Sequence, residues 1–146
     1  HKPTEVQAVL QKLKEKDITI KTDLQQDCIL KSDSYLLSIV FNNLISNSIK
    51  YSNNGGKIDL NLKAEANQFL FVIKDNGVGI SKEDLDKIFI SFYRSNPASH
   101  PEIKGTGIGL SIVKRLCDLL KIEIALDSTL EKGTAVTLTF NKSNPK

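Results

Sequence analysis

The chain has few cysteines and no long apolar run, and these two shortages exclude several classes of protein. Cys28 and Cys117 are the only cysteines among 146 residues. Because they form no CxxC pair and have no histidine nearby, neither a disulfide framework nor a zinc site is predicted. Cys117 lies among leucines on a helical segment, which predicts a core residue. No apolar segment approaches the roughly 18 residues of a membrane span, and no signal-peptide pattern opens the chain. We therefore expect no direct membrane contact.

The chain also has little net charge. The formal net charge is only +3, and the lysines are scattered rather than grouped with aromatic residues, so no nucleic-acid partner is predicted. With 40% apolar and 25% charged residues, the composition is typical of an ordinary globular protein. The length favours a single domain over residues 1–146, with its core at about 5–140 and a flexible tail at 141–146.

Hydrophobic periodicity predicts alternating helices and strands. Helices are expected over residues 4–16, 34–51 and 81–92 and near residue 109 onwards. Strands are expected over residues 18–24, 28–32, 57–65, 68–75, 122–128 and 135–140. The strands at 57–65 and 68–75 are expected to form one hairpin, and the last two strands another. We therefore predict an α+β fold, a two-layer α/β sandwich whose mixed sheet of about five strands is covered on one face by about three helices.

The segment NNLISNSIKY, residues 42–51, places amides on a helix that has no structural use for them. Asn43, Asn47, Lys50 and Tyr51 share one helical face, opposite an apolar face. Asn is a mediocre helix former. Amide oxygens suit a metal ion and an ammonium suits a phosphate, so we interpret this face as a polar site. A plain solvated face is the alternative.

Two glycine-rich segments follow. DNGVGI, residues 75–80, ends an alternating strand, and its Asp75 enters a glycine bend from which a carboxylate can reach a ligand at close range. KGTGIGLSIVKRL, residues 104–116, brings three glycines to the start of a helix, whose free N–H groups and dipole favour a phosphate. A dinucleotide fingerprint would need GxGxxG directly after a strand, and a Walker lysine–serine pair is missing.

In this order the segments resemble the catalytic and ATP-binding domain of the sensor histidine kinases, a branch of the superfamily that includes gyrase, Hsp90 and MutL. NNLISNSIKYS is similar to the family's N box, DNGVGI to its first glycine box, IFISFYRS to its F box, KGTGIGLSIV to its second glycine box and EKGTAVTLTF to its last glycine–threonine box. The resemblance covers residues 5–140, roughly, and implies the Bergerat-type ATP-binding fold.

The resemblance implies ATP and Mg²⁺ as cofactors and a role for individual residues. Asn47 matches the magnesium ligand, and Asp75 matches the carboxylate that reads the exocyclic amine of adenine, so ATP should bind better than GTP. The catalytic candidates are Asn43, Lys50 and Arg94. Asn43 stands where the gyrase and Hsp90 branch carries a glutamate. An amide cannot act as a general base, which favours phosphoryl transfer over hydrolysis.

The full set of ATP-binding candidates lies in the five boxes. It comprises Asn43, Asn47, Lys50, Tyr51, Asp75, Gly77, Gly79, Ile80, Tyr93, Arg94, Lys104, Gly105, Thr106, Gly107, Ile108, Gly109, Leu110 and Thr134.

The loop from residue 93 to residue 104 is polar and is broken by Pro97 and Pro101. We expect it to be a lid that becomes ordered over a bound triphosphate, with Arg94 and Lys104 at its two ends. In the F box, Ile90 and Ser91 replace residues that are usually charged in the family. The contact with a partner domain is therefore expected to be more apolar here.

The family's phospho-accepting histidine lies on a separate helical domain and is followed by an acidic residue. His1 is followed by Lys2, and His100 by Pro101, so neither matches, and we expect the phospho-accepting domain to be absent from these 146 residues. We expect the chain to bind Mg²⁺-ATP without autophosphorylating alone. The implied partners are a histidine-containing dimerisation domain of the same protein and a response regulator. The isolated domain should be monomeric and cytoplasmic, and an inner-membrane anchor on the parent protein is left open.

Two other functions are compatible with the fold. The first is a nucleotide-binding regulatory module without transfer, which the intact boxes disfavour. The second is a serine kinase of the anti-sigma-factor type, which would commonly carry Glu at the position of Asn43 and would lack so clear an F box. Acid stability of the phosphorylated product separates them, because phosphohistidine is acid-labile and phosphoserine is not.

Overall fold

The computed structural model describes residues 5–25, 32–88 and 109–142, and these form one sheet with helices packed on it. In chain order, the helices and strands are α1 Glu5–Lys16, β1 Thr19–Leu24, α2 Ser34–Tyr51, β2 Lys57–Ala64, β3 Gln68–Asp75, α3 Lys82–Leu85, α4 Gly109–Leu120, β4 Glu123–Thr129 and β5 Gly133–Asn141. None of the helices within these ranges is long and apolar enough to cross a membrane.

The sheet is mixed, with the strand order β1-β2-β3-β5-β4. β1 and β2 run parallel, whereas β2 and β3, β3 and β5, and β4 and β5 are antiparallel. The predicted hairpins, β2 with β3 and β4 with β5, are both confirmed. The predicted α+β fold, with a mixed sheet and helices, is also confirmed.

The core lies between the inner face of the sheet and the buried sides of α2 and α4. Alternate residues of the strands point into it, as the period of a half-buried strand requires. Its buried members are Val40, Leu44, Ile49, Ile58, Phe69, Ile73, Val113, Cys117, Leu120, Ile122, Val136, Leu138 and Phe140. The prediction for Cys117 is confirmed: it is fully buried, and burial raises the pKa of its thiol to about 11.

Helix α2, which carries the N-box residues, is capped at both ends. Its first turn is held by Asp33, whose carboxylate accepts a hydrogen bond from the backbone N–H of Leu36 at 3.0 Å. At its other end, the Lys16 ammonium donates to the carbonyl oxygens of Ile49, Lys50 and Ser52 at 2.9, 2.9 and 3.1 Å. A cation at this end also opposes the negative pole of the helix dipole. The end of α1 is thereby fixed to the end of α2.

The helix predicted over residues 81–92 is much shorter in the described part of the chain. Ser81 caps it as expected, its hydroxyl accepting from the N–H of Asp84 at 3.1 Å. The helix nevertheless ends at Leu85, because the N–H of Lys87 donates to the carbonyl of Asp84 in a tighter turn. That turn brings Ile88 into a buried position.

Two further predictions concern the chain's less regular segments. The tail was expected to begin at residue 141, but Asn141 ends β5 and the N–H of Lys142 donates to the carbonyl of Asn67 at 2.9 Å. The Lys142 ammonium also lies 4.9 Å from the centre of the Phe69 ring. These contacts attach residues 141–142 to the β2–β3 turn. The strand predicted over 28–32 and the lid at 93–104 lie, for all or most of their length, outside the described residues.

The lysine cap on α2 gives a stability prediction. Replacing Lys16 by Met keeps the aliphatic stem but removes three charge-assisted hydrogen bonds. We expect the free energy of unfolding to fall by about 1–3 kcal/mol. Lys14→Met, at an exposed position of the same helical turn, should change it by less than about 0.5 kcal/mol. Denaturant unfolding of both variants measures the difference, and equal effects would show that the cap contributes nothing specific.

Candidate functional site

The predicted site residues of α2, β3 and β5 meet at one end of the sheet. β3 finishes at Asp75, which pairs across the ladder with Thr134 near the start of β5. The last residue of α2 reaches the same place, because the carbonyl of Tyr51 accepts from the N–H of Val78 at 3.0 Å. A strand end, a helix end and a strand start therefore surround one small region.

Asp75 is a buried carboxylate held by neighbouring donors. Only 5% of it is exposed. Its Oδ1 accepts from the N–H of Gly77 at 2.9 Å, and the backbone of Thr134 and the hydroxyl of Ser48 also donate to it. Burial raises the pKa of Asp75, while these three hydrogen bonds oppose that rise. An ionised carboxylate accepts about four hydrogen bonds, so this arrangement leaves room for one donor from a ligand.

The first glycine box is held between α2 and the β4–β5 turn. The N–H of Val78 donates to Tyr51, and the carbonyl of Val78 accepts from the N–H of Glu131 at 2.7 Å. The N–H of Ile80 donates to the hydroxyl of Ser128 at 2.7 Å. The backbone groups of this short segment thus have hydrogen-bond partners in α2 on one side and in β4 and the β4–β5 turn on the other. These bonds fix the path of the segment past Asp75.

Gly77 and Gly79 are required by this arrangement. A methyl group on Gly77 would overlap the carbonyl oxygen of Tyr51, and one on Gly79 would overlap that of Thr129. Gly79 also has a φ of +74°, which L side chains rarely adopt. The sequence reasoning expected these glycines to let the backbone approach a base. The contacts described here are with neighbouring backbone, and the approach to a base stays a prediction.

The last turns of α2 reach the same region through Ser48 and Tyr51. Asn43, Asn47, Lys50 and Tyr51 are all half-buried rather than freely exposed. The amide nitrogen of Asn43 donates to the carbonyl of Ile39 at 2.7 Å, which leaves its amide oxygen and a second N–H for a ligand. The Lys50 ammonium lies 5.6 Å from the centre of the Tyr51 ring. Half-burial distinguishes this face from a fully solvated one, and its role as a polar ligand site stays a prediction.

Seven of the predicted site residues fall in the segment that the structure does not describe. Tyr93, Arg94, Lys104, Gly105, Thr106, Gly107 and Ile108 lie outside the described residues. Gly109 is the first residue of α4, and Leu110 is half-buried against the core. Ile80 is buried at the end of the first glycine box.

Sequence reasoning missed two serines that contact the predicted residues. Ser48 donates to Asp75 and is only 4% exposed. Ser128 bonds to Ile80 and lies 2.7 Å from the hydroxyl of Thr134. Ser48 did carry a signal, since it follows Leu44 by four residues on the buried side of α2, and a buried hydroxyl needs a partner. Ser128 carried none, because hydroxyls are common on half-buried strands.

The buried carboxylate makes stability depend on pH in a definite direction. Its folded-state pKa is raised above 3.8, so ionisation of Asp75 opposes folding. Its contribution is therefore most favourable below 3.8 and is lost as the pH rises through the raised value.

We expect the Asp75→Asn variant to gain stability relative to the unmodified domain as the pH rises from acid to neutral, because Asn does not titrate. Denaturant unfolding without nucleotide at matched pH measures the difference between the two free energies of unfolding. Asp59→Asn, at an exposed position of β2, is the matched control. A difference that stays flat or reverses over this range would contradict the burial of an ionisable Asp75.

Comparison with known proteins agrees with this geometry. Residues 32–144 match the family model of histidine kinase-, DNA gyrase B- and HSP90-like ATPases. Two similar relatives are the sensor histidine kinases YkoH and WalK of Bacillus subtilis. YkoH is 32% identical over 139 residues, covering 95% of this chain and 30% of YkoH. WalK is 36% identical over 117 residues, covering 79% of this chain and 19% of WalK. The chain thus spans less than a third of either relative.

Solved structures show the same fold. A mycobacterial sensor histidine kinase, MprB, superposes with a TM-score of 0.73 at 24% identity, covering 94% of this chain and 91% of that one. The Acinetobacter baumannii histidine kinase AdeS gives a TM-score of 0.76 at 24% identity, with 96% and 62% covered. The family match, which takes in the N box, the first glycine box and Asp75, is decisive: the chain belongs to the histidine kinase-, DNA gyrase B- and HSP90-like ATPases, as an ATP-binding domain of the sensor histidine kinase type.

Proposed function

We propose that this domain binds Mg²⁺-ATP at the end of the sheet around Asp75 and transfers the γ-phosphoryl group to a histidine on a dimerisation domain of the same protein. The observation that carries the proposal is the buried Asp75 carboxylate, with three protein donors around it. A buried carboxylate opposes folding when it is ionised, and a residue with this cost is typical of a ligand-binding site. The exocyclic amine of adenine is a donor of the right kind for its remaining acceptor position.

The phosphates would extend from the base along the polar face of α2. Lys50 offers an ammonium to offset phosphate charge, and Tyr51, whose ring lies beside that ammonium, would flank the nucleotide. The start of α4 at Gly109 supplies N–H groups and the positive pole of a helix dipole, which favour phosphate. Arg94, Tyr93, Lys104 and the second glycine box are proposed to complete the phosphate contacts.

Asn47 fits a magnesium ion held jointly with the nucleotide. Mg²⁺ usually keeps several waters and binds one or two protein oxygens together with substrate phosphates. Asn47 is half-buried, one helical turn from Asn43 and one turn before Tyr51, and so lies where the phosphates are proposed to run. When bound, the ion would offset phosphate charge.

The side chain at position 43 supports transfer rather than hydrolysis. The amide nitrogen of Asn43 is engaged with Ile39 within the helix, and an amide has no basic site near neutral pH. Position 43 therefore supplies no base that could activate water, which favours a nucleophile other than water. A neutral imidazole on a partner domain could be that nucleophile, because one of its ring nitrogens already has a free lone pair.

The remaining parts of the proposal concern the parent protein. Since the chain spans 30% of YkoH and 19% of WalK, the acceptor histidine is proposed to lie on another domain. A response regulator would take the phosphoryl group downstream. We propose a cytoplasmic location for this domain and a monomeric state when it is isolated.

The metal assignment predicts a magnesium-dependent defect. Asn47→Ala should weaken ATP binding in magnesium by about tenfold or more, because one ligand of the ion is lost, and should have little effect in EDTA. Ser46→Ala, at an exposed position beside it on α2, should leave both affinities unchanged. Calorimetric titration with a non-hydrolysable ATP analogue measures the four values. If the loss is equal with and without magnesium, Asn47 is not the metal ligand.

The transfer assignment predicts an acid-labile product. The domain is incubated with radiolabelled ATP and the dimerisation domain of its own full-length protein, and the labelled product is then exposed to acid. We expect label on the dimerisation domain that acid removes, and no labelling of this domain alone. Acid-stable label would indicate a serine kinase. ATP binding without any label would indicate a regulatory module.

A further inference from the structure

Ser128, near the end of β4, makes three polar contacts at the site. Its hydroxyl oxygen lies 2.7 Å from the N–H of Ile80, 3.0 Å from the carbonyl of Gly133 and 2.7 Å from the hydroxyl of Thr134. Ser128 and Thr134 pair across the β4–β5 ladder. One hydroxyl therefore joins the first glycine box to both residues that open β5.

Only one arrangement of the hydroxyl protons allows all three contacts to be hydrogen bonds. A backbone N–H always donates and a carbonyl always accepts, and a serine hydroxyl has one proton. The proton of Ser128 must therefore go to Gly133, and its oxygen accepts from Ile80. The hydroxyl of Thr134 must then donate to Ser128. The Thr134 proton is thereby committed to Ser128, and the lone pairs of the Thr134 oxygen remain for other partners.

Thr134 stands directly opposite Asp75 in the β3–β5 ladder. Directly paired residues of antiparallel strands point to the same face, with Cβ atoms about 4.5–5.5 Å apart. The side chains of Thr134 and Asp75 therefore lie side by side on one face of the sheet. With its proton on Ser128, Thr134 acts toward a ligand as an acceptor, as Asp75 does.

We propose that Ser128 is a positioning residue for base recognition: it fixes the Thr134 hydroxyl as a hydrogen-bond acceptor beside Asp75, so that the site selects a 6-aminopurine over a 6-oxopurine. This inference rests on the proposed nucleotide site. An exocyclic amine, or a water that the amine orders, presents donors to the two acceptors. A 6-carbonyl would meet acceptors only, because Thr134 can turn its proton toward that carbonyl only by breaking its bond to Ser128.

The test compares ATP with inosine triphosphate, which presents a carbonyl at position 6 and a proton on N1. Calorimetry in magnesium gives the ratio of their dissociation constants. In Ser128→Ala the Thr134 hydroxyl is released and can donate to the carbonyl, so we expect the preference for ATP to fall by about threefold to tenfold. Loss of the Ile80 contact weakens both nucleotides alike and cancels in the ratio. Ser128→Cys, which keeps the side-chain volume, is measured in the same way and covers the case in which Ser128→Ala does not fold.

Thr134→Val separates positioning from a merely structural role, since it removes the hydroxyl while keeping the shape. In the Thr134→Val background, Ser128→Ala should change the ratio by less than about twofold, because no hydroxyl remains to be oriented. The proposal is overturned if Ser128→Ala leaves the ratio unchanged, or changes it equally in both backgrounds. A different result, no binding of ATP by the unmodified domain, would instead refute the proposed function itself.

Discussion

The close packing of three backbone segments at one end of the sheet is the constraint on which the site depends. The first glycine box runs between the last turn of α2 and the β4–β5 turn, bonded to Tyr51 on one side and to Glu131 on the other. There is no space for a side chain at Gly77 or Gly79. This path places the N–H of Gly77 against the Asp75 carboxylate. Backbone contacts therefore help to fix the direction in which the Asp75 carboxylate points.

Asp75 also shows a conflict between stability and function. Every other residue of β3 that shares its inward face is apolar, and burial raises the pKa of Asp75. An apolar residue there would carry no desolvation penalty of its own. The chain instead supplies Gly77, Thr134 and Ser48 as donors, which reduces the desolvation penalty without removing it. A residue that lowers stability in this way is expected where a protein binds a ligand.

Helix α2 connects this site to the rest of the domain. Its Ser48 donates to Asp75, its last carbonyl accepts from the N–H of Val78, and its final turn is capped by Lys16 from α1. The opposite face of α2 supplies Val40 and Leu44 to the core. The same helix thus carries packing on one side and ligand chemistry on the other.

Most of the architecture could be predicted from the sequence. Period and turn residues predicted both hairpins, α2 and the mixed sheet, because alternation and helical spacing are local properties of the chain. The helix after residue 81 was predicted too long, since its end is set by a single tight hydrogen bond and by the burial of Ile88. The tail was predicted to begin too early, since Lys142 is held by Asn67, far away in the sequence.

By itself, the sequence determined which chemical groups are available: two amides on one face of a helix, a carboxylate at a strand end, and glycines beside it. The tertiary structure decided how these groups are used. It brought Ser48 and Thr134 to Asp75 and Ser128 to Thr134. These pairs come from different strands and helices, and hydrogen bonds are short and directional. Only the packing of α2 on the sheet and the register of β3, β4 and β5 could bring their atoms within bonding distance.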